Sequence, residues 1–131
     1  MKNTFDFPLY LVNIPLISIT IKMTPDNSTY LILGSSSKKF NDRLERINAE
    51  ELDALVLPGG FGAAKNLCTF ATAGADMAVN EDVRRVILNM HAAGKPIGFI
   101  CIAPAIGAKV LGPDHQVKLT IGNDEGTAAA I

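Results

Sequence analysis

Cys101 is the residue whose surroundings most suggest chemistry. It follows the run Lys95-Pro96-Ile97-Gly98-Phe99-Ile100, read as a strand, and precedes a helical stretch beginning near Ala103. A residue held in so sharp a strand-to-helix turn has its side chain lifted above the C-terminal edge of a sheet, the geometry of a nucleophile elbow. The helix start directs its partial positive charge and free N–H groups at an anion on the sulfur. The Ile102 N–H is placed to donate to an oxyanion formed on attack. Pro104 supports the geometry, because a missing N–H costs nothing in the first helical turn. The competing reading makes Cys101 a small hydrophobe buried at the edge of the core.

Pro58-Gly59-Gly60-Phe61-Gly62 closes another apolar strand, Leu52-Asp53-Ala54-Leu55-Val56-Leu57. Glycines at the C-terminal edge of a sheet allow φ > 0 and a close approach to a ligand with N–H groups exposed. If the two strands are neighbours, this loop faces Cys101 and offers a second oxyanion donor; a tight turn with no ligand is the alternative. The loop is no phosphate cradle: Gly-x-Gly-x-x-Gly is absent, and Lys65 lacks the Ser or Thr of a phosphate-binding loop. Cys68, on a helix expected from Ala63 to about Ala71, reads as a buried small hydrophobe. His91 and His115 fall near the ends of two helices, away from Cys101, and two histidines with two scattered cysteines show no metal-ligand spacing. No metal and no cofactor are expected.

The elements that must position these residues follow from pattern. Ser18-Ile19-Thr20-Ile21-Lys22-Met23 alternates with period two and reads as a strand, Pro25-Asp26-Asn27-Ser28 as a turn, and Thr29-Tyr30-Leu31-Ile32-Leu33 as a second strand. Ser35-Ser36-Ser37-Lys38-Lys39 is a polar break. Asn80-Glu81-Asp82 caps a helix carrying Val83, Val86, Ile87 and Met90 on one face and ending near Gly94. Ala103 to Leu111 forms the next helix, Val117-Lys118-Leu119-Thr120-Ile121 another strand, and Asn123 onward the first turns of a helix. Alternating strands and helices with short turns specify an α/β fold with a parallel sheet, and the Ile97–Ile100 strand is expected to be buried on both faces.

Composition narrows the classes. The 131 residues are 48% hydrophobic, with 12 basic and 13 acidic side chains and a formal charge of −1, a balance that gives no footprint for nucleic acid. Two cysteines are too few for a disulfide framework. The apolar opening around Pro8–Ile21 is shorter than a membrane span of roughly 18–20 residues and is interrupted by Asn13 and Pro15, so no membrane partner is expected.

Two blocks together are specific enough to name a family. Glu51-Leu52-Asp53-Ala54-Leu55-Val56-Leu57-Pro58-Gly59-Gly60-Phe61-Gly62-Ala63-Ala64-Lys65-Asn66-Leu67 and Gly94-Lys95-Pro96-Ile97-Gly98-Phe99-Ile100-Cys101-Ile102-Ala103-Pro104-Ala105 resemble the PfpI / class I glutamine amidotransferase-like superfamily, and within it the ElbB-type isoprenoid-biosynthesis proteins. The resemblance covers residues 44–131, leaving 1–43 as a divergent N-terminal segment. It implies a flavodoxin-like three-layer sandwich with a mostly parallel sheet, incomplete here. It also implies that Cys101 is the nucleophile, that Gly59 and Gly60 form the facing loop with Gly62 behind them, and that the Ile102 N–H and an N–H at Gly60 or Phe61 hold an oxyanion. The implied activity is that of a cofactor-free glyoxalase converting glyoxal to glycolate, with a small aldehyde as substrate.

The chain departs from that pattern. The family's opening strand, with its glycine- and cysteine-containing loop and its acidic residue beside the nucleophile, has no counterpart in residues 1–50, and the family continues past the position of Ile131. The elbow carries Phe99 and Ala103 where the superfamily has glycines, as the ElbB branch does. A partial chain is the expectation, with weak or absent turnover. The alternatives are a non-catalytic or redox-sensing cysteine protein and an inactive fragment, for which a second copy of the chain is a candidate partner across exposed strand edges. The expected compartment is the cytoplasm, or the mitochondrion for a eukaryotic source.

Overall fold

The structure, a computed structural model, describes residues 18–23, 28–33 and 45–131. The expected polar break at Ser35–Lys39 and most of the turn at Pro25–Ser28 lie outside the described residues. Four strands form one sheet in the order β1 (Ser18–Met23), β2 (Ser28–Leu33), β3 (Ala54–Leu57) and β4 (Ile97–Phe99). β1 runs antiparallel to β2, with Ser18 opposite Leu33 and Met23 opposite Ser28. β2, β3 and β4 are parallel, with Leu31 beside Leu55 and Leu55 beside Ile97. The sheet therefore joins strands from both sides of residue 44.

Parallel neighbours need crossover connections, and helices supply the longer of them. Between β3 and β4 lie a π-helical turn (Ala63–Leu67), the short helix α1 (Phe70–Ala73) and the long helix α2 (Glu81–Ala92). Helix α3 (Ala103–Leu111) follows β4, and a short α4 (Glu125–Ala129) lies near the end of the chain, capped by the Asp124 carboxylate, which accepts from the Thr127 N–H and hydroxyl. No described helix is long and apolar enough to cross a membrane.

Helix α2 forms for the reasons read from its sequence. The Asn80 side chain accepts from the Asp82 and Val83 N–H groups at 2.9 and 3.2 Å, and Val83, Val86, Ile87 and Met90 are all buried. These side chains meet Leu31, Leu55 and Leu57 of the sheet and Ala103, Ala105, Ile106 and Val110 of α3 in one core. At the edge where the strands begin, Lys95 Nζ donates to the carbonyls of Ala49 (2.8 Å) and Glu50 (3.0 Å), and Arg85 donates to that of Ile47 (3.0 Å). These bonds tie the entry to β3 to the entry to β4 and to α2.

Three expectations need correction. The helix expected over Ala63–Ala71 is broken after Leu67. Cys68 is extended and bridges to Val79, while Thr69 exchanges hydrogen bonds with Ala78 through its backbone and its hydroxyl, closing residues 68–79 into a loop. Ala71 is exposed rather than on an apolar face. Val117–Ile121 keeps its in–out alternation, with Val117, Leu119 and Ile121 partly buried, but among the described residues it has no ladder partner and joins no strand. β4 is not buried on both faces, and Ile100 beyond it is 54% exposed, because among the described residues β4 pairs with β3 alone. An alternating pattern selects a face but cannot supply the neighbouring strand.

The core and the cap rank differently in stability. Leu55→Ala, at a side chain with 0% exposure, is expected to lower the unfolding free energy by about 2–5 kcal/mol. Asn80→Ala should cost about 1 kcal/mol. Urea denaturation of both variants measures the order, and equal losses would contradict it.

Candidate active site

The site is built where β3 and β4 end side by side. The Ile100 N–H donates to the Leu57 carbonyl at 3.0 Å, extending the pairing by one residue, and the chain then reverses into α3. The reversal is made at Cys101, with φ +60°, the one non-glycine residue at positive φ among the described residues. A side-chain-bearing residue in that region is strained by about 1 kcal/mol or more. The turn is held on both sides, with Ala103 N–H to Ile100 carbonyl and Ala105 N–H to Ile102 carbonyl both at 3.1 Å. Cys101 is exposed at the C-terminal edge of the sheet and the N-terminal end of α3, with Pro104 in that helix's first turn. The buried alternative read from the sequence does not describe it.

The glycine loop lies directly against this turn. Gly59 has φ +82°, and a Cβ placed on it would stand 2.5 Å from the Ile100 carbonyl oxygen and 3.1 Å from both Cys101 Cβ and the Ile102 nitrogen. Only glycine fits a backbone approach this close. Gly60, φ +85°, faces open space, and its carbonyl accepts from the Ala63 N–H at 3.0 Å, starting the π-helical turn. Phe61 is 77% exposed, and Gly62 is already helical. Gly59, Cys101 and Ile102 are thus brought into contact, with Gly60 and Phe61 next along the loop.

Several other titratable residues are placed elsewhere. Glu50 and Glu51 lie in the 3₁₀ turn before β3, and Asp114 follows α3, at the opposite edge from Cys101. His91 is in the last turn of α2 and His115 follows α3, and their rings lie 4.2 Å apart. That pairing was missed in the sequence, although two helices that both return antiparallel to the strands must end at the same edge. Cys68 is buried, its thiol 3.7 Å from the carbonyls of Ala63 and Ala64; burial pushes its pKa up, opposed by a backbone hydrogen bond from Phe70. Both cysteines are free. No group of three His, Cys, Asp or Glu side chains suited to a metal assembles among the described residues.

No family model matches the chain. The human glutamine amidotransferase-like class 1 domain-containing protein 3, mitochondrial, is 48% identical over 97 residues, which is 67% of this chain and 35% of that protein. A deglycase of Pyrococcus horikoshii is 33% identical over 70 residues, 53% of this chain and 36% of the relative. The solved structure of an isoprenoid biosynthesis protein with an amidotransferase-like domain from Ehrlichia chaffeensis superposes with a TM-score of 0.54 at 36% identity, over 61% of this chain and 38% of that one. The chain spans about a third of the length of the curated relatives it matches.

The two glycines and the two thiols should separate cleanly. Gly59→Ala, which meets backbone, is expected to destabilise by about 2–5 kcal/mol, whereas Gly60→Ala, which meets only its own backbone strain, should cost about 1 kcal/mol. In Ellman titration of the native protein, Cys101 should react at once and Cys68 only on unfolding; loss of the slow phase rather than the fast one in Cys101→Ser would contradict this placement.

Proposed function

We propose, for a chain homologous over two thirds of its length to glutamine amidotransferase-like proteins of the PfpI type, a thiol-centred site that adds to small aldehydes and converts glyoxal to glycolate. The observation that carries the reading is an exposed cysteine at positive φ pressed against a glycine that nothing larger could replace. The relative named a deglycase supports chemistry of this general kind.

The Cys101 sulfur, as thiolate, forms a bond to one aldehyde carbon, and the carbonyl oxygen takes the electron pair. The N–H groups of Ile102 and of Gly60 or Phe61 stabilise that oxyanion, a contribution worth roughly 3–4 kcal/mol per donor in other acyl-transfer sites. A proton then moves from the hemithioacetal carbon through an enediol to the neighbouring carbon. One carbon is oxidised to a thioester and the other reduced to a hydroxymethyl group. Water cleaves the thioester, releasing glycolate and restoring the thiol. The proton transfer needs a base, worth roughly 100- to 10,000-fold in rate. The acids named above and both histidines stand at the other edge, so the chain alone should turn over slowly. The human relative's name supports a mitochondrial location.

The same placement of acids and histidines favours a second reading, a non-catalytic or redox-sensing thiol. Incubation with glyoxal and chromatographic measurement of glycolate distinguishes the two. The expected result is slow glycolate formation, abolished in Cys101→Ser. Glycolate formed equally by Cys101→Ser would overturn the site, and no glycolate with reversible oxidation of Cys101 by peroxide would favour the sensor.

A further inference from the structure

The two histidines, the whole histidine complement of the chain, meet at the edge of the sheet remote from Cys101. Their ring centroids are 4.2 Å apart and their planes are inclined at 41°. They stand 24 positions apart in sequence, one in the last turn of α2 and one just beyond α3, two helices that pack against each other. Each marks a helix C-terminus. His91 is in the last turn of α2, and its carbonyl accepts from the Gly94 N–H at 2.9 Å. The His115 N–H donates to the Leu111 carbonyl at 2.9 Å, closing the end of α3. Helix C-termini carry partial negative charge, so two of them converging on one spot favour a cation there.

Two lysines of the helix-end regions are engaged elsewhere. Lys95 Nζ is bonded to the carbonyls of Ala49 and Glu50, and Lys109 Nζ to that of Ala75 at 3.3 Å. Imidazole nitrogen is a preferred ligand for zinc, copper and nickel. A metal about 2.0–2.1 Å from one nitrogen of each ring sets the ring centroids about 5 Å apart, roughly an ångström wider than they are now. His115 is exposed and His91 half-buried, so a side-chain rotation of His115 provides that opening and leaves one side to solvent.

We infer that His91 and His115 form a surface site for a first-row divalent transition-metal ion, with two imidazole nitrogens from the protein and water in the remaining positions. The ion ties the end of α2 to the end of α3. With two protein ligands the site follows the order in which copper exceeds nickel and zinc. It is independent of the reaction proposed for Cys101.

The test uses the untagged chain carrying Cys101→Ser, so that the exposed thiol cannot compete. Calorimetric titration with NiCl₂ and ZnCl₂ should show one ion per chain, with affinity falling at least tenfold in His91→Ala and in His115→Gln, and no uptake of MgCl₂. Because His115 is exposed, its replacement leaves the fold intact and keeps the test decisive should His91→Ala unfold. Nickel should also broaden the ring proton signals of both histidines in the NMR spectrum and raise the melting temperature of the parent but not of His115→Gln. Absence of nickel and zinc binding, or binding that survives His115→Gln unchanged, overturns the inference.

Discussion

The contact between Gly59 and the Ile100–Ile102 turn governs the rest of the arrangement. It exists because β3 and β4 are adjacent and parallel, with Leu57 beside Phe99, so that both strands release their chains at the same level. One chain leaves through a glycine at positive φ, and the other reverses through Cys101, also at positive φ. Each turn limits the space available to the other. A Cβ added at Gly59 would push the Ile100 carbonyl out of the position that orients the helix start. The strain at Cys101 is sustained by hydrogen bonds on either side of it and by a wall of backbone that leaves few alternatives.

The two edges of the sheet are chemically different. Where the strands end, the described surface offers a thiol, glycine backbone and the N-terminal end of α3, a setting that can hold developing negative charge without a formal cation. Where they begin, Lys95 and Arg85 bind backbone carbonyls, carboxylates line the entry to β3, and both imidazoles gather at helix ends. This separation follows from topology: β3 and β4 are parallel, so α2 returns to the edge where they begin, and α3 starts where β4 ends. Homology to the glutamine amidotransferase-like proteins extends over two thirds of this chain and about a third of theirs, so the chemistry of the whole relatives is carried by more residues than this stretch contains.

Much of the frame was legible before any coordinates. Asn80, the apolar face of Val83–Met90 and Gly94 specified α2 at both ends, and Ala103–Leu111 was bounded by its proline and glycine, because caps and 3.6-residue periodicity act within one element. The strand at Ala54–Leu57, the glycine loop and the homology itself were readable for the same reason: they are contiguous runs of residues. What failed depended on partners distant in sequence. The alternation of Val117–Ile121 needed a neighbouring strand that the described residues do not provide, and the helix after Gly62 gave way to the hydrogen bonds that Thr69 makes with Ala78.

The sequence by itself determined the extent of α2 and α3, the strand before the glycine loop, the apolar face of α2 and which cysteine stands between a strand and a helix, since these depend on residues a few positions apart. Tertiary structure alone decided that Gly59 abuts Cys101, that Cys68 is buried while Cys101 is exposed, and that His91 meets His115. Those outcomes depend on the order and direction of the strands and on how the helices return across them, and no local pattern encodes the distance between residues dozens of positions apart.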